Sequence, residues 1–133
     1  MKIDAKLHHY CQDIAIGHLA DAVDMYKLLG FDIVYKPPGD ERWIMVGQNQ
    51  LRFAIQIAEV DDDSIDDIDT KRQTHIAFIS ENPADVIQVI KTWAKNKGFK
   101  FRQGQWSDIE LFFDLPDIFI NFVVEVMHTS IEG

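Results

Sequence analysis

The sequence has little positive charge and almost no cysteine. Its 13 lysines and arginines face 22 aspartates and glutamates, so the formal net charge at pH 7 is -9. Such a surface repels phosphate backbones and anionic lipids, so neither nucleic acid nor a membrane is expected as a partner. The single cysteine, Cys11, excludes an intramolecular disulfide.

Long apolar runs are also missing. No stretch approaches the roughly 20 apolar residues of a membrane span, and the first residues lack the apolar core of a signal peptide. We therefore expect a cytoplasmic protein. Hydrophobic residues nevertheless make up 47% of the 133 residues, which is enough for the core of one ordinary domain.

Apolar spacing predicts two helices and eight strands. Spacings of three and four residues predict helices over residues 18–29 and 83–97, each followed by a glycine. Runs rich in β-branched and aromatic residues predict strands over 9–16, 31–36, 43–46, 52–58, 74–79, 99–102, 109–113 and 118–127.

An acidic run, residues 61–70, divides the chain into two segments of about 1–60 and 71–133. Because like charges repel, we expect this run to be an extended and solvated linker.

The two segments share four landmarks in the same order, which indicates an internal duplication. The matches are 13–16 (DIAI) with 75–78 (HIAF), 20–23 (ADAV) with 84–87 (ADVI), 30–31 (GF) with 98–99 (GF), and 53–57 (FAIQI) with 122–126 (FVVEV). Each segment then has the order strand, helix, strand, strand, strand. We predict one α+β domain built from two βαβββ modules, because a lone module would leave one face of its sheet uncovered.

Alternation along the predicted strands places four polar side chains on the sheet face turned away from the helices. Successive side chains of a strand point to opposite faces, and the apolar set of each strand is expected to face its helix. The polar residues left on the other face include Asp13, Gln56, His75 and Glu125.

The paired modules, together with residues 26–31 (YKLLGF), 74–78 (THIAF) and 123–126 (VVEV), resemble the vicinal oxygen chelate superfamily, which includes glyoxalases, bleomycin resistance proteins and extradiol dioxygenases. The resemblance implies that the sheets curl into a cup that holds a divalent metal, here Mn, Fe, Ni, Co, Zn or Mg. It implies metal ligands from the first and last strands of each module, at Asp13, Gln56, His75 and Glu125. It also implies that Glu125 is the catalytic carboxylate, which moves a proton beside the metal.

The first-strand position departs from the pattern of that superfamily, where the ligand is usually histidine. The repeat aligns Asp13 with this position, but His9 and Cys11 lie on the same face of the strand. The repeat favours Asp13 and the chemistry of the family favours His9; Asp13 is slightly preferred, and which of Asp13, Cys11 and His9 faces the site stays open.

Three functions remain open, and whether the protein is an enzyme is not decided. The first is a metal-dependent lyase, isomerase or transferase acting on a small oxygenated substrate. The second is a metal-free protein that binds or sequesters a small molecule such as a drug, which the acidic charge would suit. The third is a regulatory module without the chemistry. A homodimer is expected for all three.

Four further residues are candidates for binding the small molecule. Arg52 lies on the face of Gln56 and would pair with a substrate carboxylate or phosphate, although an ordinary salt bridge is the simpler interpretation. Trp43, Trp106 and Phe113 would line the pocket, although aromatic residues more often belong to a core or an interface.

Overall fold

The computed structural model, which describes residues 3–49 and 53–132, divides the chain into unit 1, Met1–Asp61, and unit 2, Asp62–Gly133. Unit 1 contains β1 (His9–Ala15), α1 (Leu19–Leu28), β2 (Asp32–Tyr35), β3 (Trp43–Gly47) and β4 (Ala54–Val60). Unit 2 contains α2 (Ile68–Lys71), β5 (His75–Ser80), α3 (Pro83–Lys97), β6 (Arg102–Ser107), β7 (Glu110–Asp114), β8 (Val123–His128) and a final 3₁₀ turn (Thr129–Glu132). None of the helices among the described residues is long and apolar enough to cross a membrane.

Each unit has one four-stranded mixed sheet, and the two sheets have the same topology. The strand orders are β1-β4-β3-β2 and β5-β8-β7-β6. In each sheet the first strand runs parallel to the last, and the other pairs are antiparallel. The predicted α+β fold with two βαβββ modules is therefore confirmed.

Helix α1 identifies which face of the first sheet is covered. Its buried residues include Tyr26, whose hydroxyl donates a hydrogen bond to the side chain of Gln12. Gln12 and Ile14 are themselves buried, so they face the helix. Because strand side chains alternate, His9 and Asp13 point to the opposite, helix-free face.

Helix α3 covers the second sheet through Ile87, Ile90 and Ala94, which are its buried residues. It begins at Pro83, which suits the first turn because that backbone nitrogen needs no partner there. It ends at Gly98, whose φ of 80° lies in the left-handed region that favours glycine. These bounds match the predicted helix.

Two predicted strands were misplaced because apolar residues near a strand were taken for part of it. The second strand of the second half was expected over 99–102, but β6 begins only at Arg102. The two phenylalanines before it serve the core instead: Phe99 lies against Trp93, and Phe101 stacks on Phe113 at a centroid distance of 5.9 Å.

The last strand was expected over 118–127, but β8 begins at Val123. The backbone N–H groups of Ile118 and Phe119 bond back to the carbonyl of Leu115 at 2.9 and 2.8 Å. This turn buries both side chains without placing them in the sheet.

The acidic run is more ordered than a solvated linker. Residues 62–70 belong to unit 2, where the N–H of Ile65 donates to the carbonyl of Ile120 at 2.9 Å and the hydroxyl of Ser64 donates to the carbonyl of Phe119 at 2.8 Å. The run also contains α2, which sequence patterning missed because it is only four residues long. The acidic side chains themselves are exposed. The expected solvation of the carboxylates is therefore correct, whereas the expectation of an extended backbone without partners is wrong.

Candidate functional site

A histidine and a glutamate meet on the helix-free face of unit 2. Ladder pairing places Ala77, Glu125, Phe112 and Gly104 in one row across the four strands. His75 stands two residues before Ala77 on β5, on the same face. Its Nε2 lies 3.7 Å from Oε1 of Glu125.

The ring of His75 is held in one orientation by its other nitrogen. Nδ1 lies 3.0 Å from the backbone carbonyl oxygen of Arg72. A carbonyl only accepts hydrogen bonds, so Nδ1 is the donor of this bond, and Nε2 is the ring nitrogen that faces Glu125. Metal-binding histidines are oriented in the same way by an outer partner.

Glu125 is buried, with only 5% of the residue exposed. Burial raises the pKa of its carboxyl group, a trend that His75 opposes and the charge of Glu110 reinforces. An ionised carboxylate in such a place is costly unless a cation or hydrogen-bond donors compensate it. The pair therefore has the electrostatic character of a cation site.

An aromatic floor, formed by Trp106 and Phe112, lies beside the pair. The ring centroid of Trp106 is 5.0 Å from that of His75 and 4.9 Å from that of Phe112. The guanidinium carbon of Arg72 lies 5.7 Å from the centroids of both floor rings. One imidazole, one carboxylate and one guanidinium thus surround two aromatic rings within unit 2.

Gly104 makes room for the ring of Phe112. A Cβ atom at residue 104 would stand 2.6 Å from Cζ and 2.8 Å from Cε1 of Phe112, which is closer than real contacts allow. The missing side chain leaves space beside β6 for this ring, which lies in the same row as Glu125. The position of this floor residue therefore depends on a glycine in the neighbouring strand.

A buried ion network anchors the residue before Arg72. Nζ of Lys71 lies 2.8 Å from Oδ1 of Asp114, and it donates to Ser64 Oγ at 2.7 Å and to the carbonyl of Phe119 at 2.8 Å. Arg102 donates to the other oxygen of Asp114 at 2.7 and 3.0 Å. The side chains of Lys71 and Asp114 are fully buried, and this burial lowers the pKa of Lys71.

Comparison of the strand registers of the two sheets shows which residue of unit 1 corresponds to His75 of unit 2. The neighbour of Glu125 on β5 is Ala77, and His75 stands two residues earlier. The neighbour of Gln56 on β1 is Cys11, and His9 stands two residues earlier. Sheet register therefore equates His9 with His75.

The sequence repeat had instead aligned Asp13 with His75, and that alignment was wrong by four residues. Asp13 lies beside Ala58, farther along β1. The repeat matched residues 13–16, at the end of β1, with residues 75–78, at the start of β5, and so did not follow the rows of the two sheets. Partial burial, with the charge of Asp13, raises the pKa of the Cys11 thiol.

The structure separates the four residues that were expected to bind a ligand. Trp106 belongs to the aromatic floor described above, whereas Trp43 stacks on Tyr35 in unit 1 at 5.6 Å. Phe113 is fully buried and stacks on Phe101, because it follows Phe112 along β7 and so points to the other face of the sheet. Arg52 lies outside the described residues.

A separate cavity of about 550 Å³ opens in unit 1. Most of its lining residues come from β2, β3 and the start of β4: Val34, Tyr35, Met45, Gly47, Phe53 and Ala54. The polar residues His8 and Gln48 complete the lining. Its volume falls in the range of small-molecule pockets.

Neither unit brings three metal-binding side chains together within its own described residues. From unit 2, a metal ion would receive two ligands, His75 and Glu125. Sequence patterning missed Arg72, Lys71 and Gly104. The available signal was the Lys71-Arg72 pair, which follows the acidic run and stands just before the histidine strand.

No protein-family model and no curated protein sequence matches the chain. Among solved structures, the genomically encoded fosfomycin resistance protein FosX from Listeria monocytogenes, complexed with Mn(II) and sulfate, has a TM-score of 0.61 at 18% identity and covers 98% of this chain and 97% of its own. A glyoxalase family protein from Bacillus anthracis has a TM-score of 0.58 at 15% identity, covering 96% and 98%.

A bleomycin-binding protein complexed with bleomycin has a TM-score of 0.52 at 12% identity, covering 96% of this chain and 99% of its own. The chain has the vicinal oxygen chelate fold. At such low identities the likeness speaks for the fold alone, because one vicinal oxygen chelate fold carries both metal-containing and drug-binding proteins in these comparisons. The function of this chain must therefore be inferred from the side chains of each unit.

Proposed function

We propose that the protein is a divalent-metal-dependent enzyme, of the lyase, isomerase or transferase type, acting on a small oxygenated substrate. The observation that carries this proposal is the His75–Glu125 pair, with Nε2 and Oε1 3.7 Å apart and Nδ1 fixed by the Arg72 carbonyl. The structural likeness to FosX, which was solved with Mn(II), supports it.

The donor atoms of the pair fit a metal ion. Ligand bonds from nitrogen or oxygen to such ions are about 2.1 Å long, so two donors 3.7 Å apart lie within the span of a single ion. A mixed imidazole and carboxylate set suits Mn, Fe, Co, Ni or Zn. By sheet register, His9 and Gln56 are the residues of unit 1 that we test as further ligands.

A bound metal would act as a Lewis acid on the substrate oxygens. His75 would hold its side of the site rigidly, because its ring cannot rotate without losing the Arg72 carbonyl. Glu125 would accept or return a proton at its carboxylate, and burial has already moved its pKa towards the range useful for that task. Trp106 and Phe112 would exclude water from one side of the substrate.

Manganese titration of tag-free protein, followed by electron paramagnetic resonance, tests the proposal. We expect one ion per chain in the wild type and an affinity loss of at least about 100-fold in His75→Ala and Glu125→Ala, since removal of even an outer partner costs 10–100-fold. His128→Ala, which removes another histidine of unit 2, should bind like the wild type. A wild type that takes up none of Mn, Fe, Ni, Co or Zn would refute the metalloenzyme.

The same titration assigns the ligand on β1. His9→Ala should weaken manganese binding, whereas His8→Ala and Asp13→Ala should not, because only His9 occupies the row position equivalent to His75. The reverse result, with loss in Asp13→Ala alone, would restore the assignment made from the sequence repeat.

A second function is favoured by the cavity of unit 1. A metal-free protein that sequesters an aromatic or cationic drug would use its apolar wall, and a net charge of -9 would attract such a ligand. Calorimetry with bleomycin in the presence of EDTA tests this function. Binding that is lost in Tyr35→Ala but kept in Tyr10→Ala, whose tyrosine does not line the cavity, would favour it over the enzyme.

We also propose that the protein is a homodimer. Strand β2 is an edge of its sheet, and Ile33, Val34 and Tyr35 are 43%, 58% and 46% exposed on it. An apolar edge strand is a ready site of association between chains. Sedimentation velocity should show a dimer whose dissociation constant rises at least about 10-fold in Val34→Lys, a single buried charge being costly. A monomeric wild type would refute the dimer.

A further inference from the structure

We propose that Arg72 selects substrates that carry an anionic group, a carboxylate or a phosphonate, in addition to the oxygens that chelate the metal. The inference rests on the proposed function for the position of those oxygens. It goes further because it assigns a specificity residue and a chemical class of substrate.

Two separate contacts place Arg72 close to the proposed metal position. Its guanidinium carbon is 5.7 Å from the centroid of Trp106, and the ring of His75 lies 5.0 Å from the same centroid. Its backbone carbonyl accepts the hydrogen bond from Nδ1 of His75. A small substrate bound at Nε2 of His75 and lying along Trp106 therefore extends towards the guanidinium.

The guanidinium has unused capacity for an anion. It carries five N–H donors in a planar fork that matches carboxylate and phosphonate oxygens. Its one ion-pair partner among the described residues is Asp69, at 3.3 Å through Nη2. The Asp69 side chain is 75% exposed, and exposed ion pairs of this kind contribute little, so a substrate anion competes with it readily.

The position of Arg72 is set before any ligand binds. It is the C-terminal cap of α2, where its backbone N–H bonds to the carbonyl of Ile68 at 2.9 Å. The preceding residue, Lys71, is fixed in the interior by Asp114. The two aromatic rings then support the guanidinium plane, and such preorganisation lowers the entropic cost of gripping an anion.

The net negative charge of the chain sets Arg72 apart from the rest of the surface. The chain carries a net charge of -9, which disfavours anions over most of its surface. A half-buried guanidinium on an aromatic floor is a local exception, and it lies next to the pair that would hold the metal. Recognition of a substrate anion explains why a cation is placed there.

A matched pair of chelating probes tests the proposal. Acetohydroxamate and 3-carboxypropanohydroxamate share one chelating group and differ in a distal carboxylate. In Mn(II)-loaded wild type we expect the carboxylated probe to bind about 10- to 100-fold more tightly, the usual effect of a hydrogen bond to a charged group. Arg72→Gln should lose that preference without weakening the neutral probe or manganese, and Arg72→Lys should keep part of it.

Asp69→Asn provides a control in the opposite direction, since removal of the competing carboxylate should raise the affinity of the carboxylated probe severalfold. Equal probe affinities in the wild type, or an unchanged preference in Arg72→Gln, would overturn the proposal. If the wild type binds no metal, the proposed enzyme function fails, but the anion site at Arg72 is still tested. Ligand-observed NMR of both probes on metal-free protein is then the test. Preferential carboxylate binding lost in Arg72→Gln supports the anion site, and its absence refutes it.

Discussion

Replacement of Lys71 by methionine is expected to lower the free energy of unfolding by about 3–5 kcal/mol. Methionine has nearly the volume of the lysine stem, so the loss comes from the missing hydrogen bonds of the amino group and not from packing. It would leave Asp114, whose side chain is fully buried, with Arg102 as its one remaining ion-pair partner among the described residues. It would also remove the donor to Ser64 and to the carbonyl of Phe119. Guanidinium unfolding followed by circular dichroism measures this loss.

Lys91→Met is the matched control, because Lys91 is an exposed residue of α3, and it should change stability by no more than about 0.5 kcal/mol. Equal effects of the two substitutions would show that the buried ion network contributes nothing. The pH dependence gives a second test. Because burial lowers the pKa of Lys71, the folded chain holds that proton less firmly than the unfolded chain.

The wild type should therefore gain stability as the pH rises towards the unfolded-state pKa of lysine, about 10.4. The gain is present above that pKa and is lost as the pH falls through the lowered pKa of the folded chain. Lys71→Met lacks the titrating group and should lack this rise, while Lys91→Met should keep it. A rise of equal size in both variants would contradict the assignment.

Gly104→Ala is expected to destabilise the protein by about 1–3 kcal/mol, the usual cost of overpacking a buried contact. The new methyl group would meet the ring of Phe112 at 2.6 Å, and that ring is buried and rests between Glu125 and β6. We expect the ring to be displaced within its row, towards Glu125. Aromatic proton shifts and the unfolding free energy together report this change.

A double variant separates the clash from a general loss in the strand. Phe112→Leu removes the ring atoms that the methyl group would meet, so Gly104→Ala should cost much less in that background than in the wild type. Gln105→Ala, at an exposed neighbour on β6, sets the baseline. Simple additivity of the two substitutions would mean that the glycine is not needed for the ring.

The fold could be predicted from the sequence because its signals are local and repeated. The apolar spacing before Gly98 and the proline at residue 83 define α3 without any tertiary information. The strand predictions failed where residues are buried without pairing in a sheet. Phe119 is fully buried, yet it lies in a turn, and nothing in its hydrophobicity distinguishes the two cases.

The candidate site could be predicted only in part. His75 and Glu125 were found because alternation is a one-dimensional property that a sequence displays directly. The choice between Asp13 and His9 depends on the register between β1 and β4, which no single strand encodes. Arg72 was missed for a related reason, since its contact with Trp106 joins residues 34 positions apart through side-chain geometry.

The C-terminal end of α2, at Lys71 and Arg72, has a consequence for protein engineering. Lys71 enters the interior, Arg72 lies on the aromatic floor, and the same short helix joins both to the acidic run. Insertion or deletion of one residue between Ser64 and Lys71 would displace Arg72 from the floor, and its backbone carbonyl from Nδ1 of His75, while His75 and Glu125 stay in their strands. Loop-length libraries in this run are therefore a route to altered ligand preference that keeps the strand positions of His75 and Glu125. A directed-evolution experiment would do better to vary the length of this segment than to saturate the strands themselves.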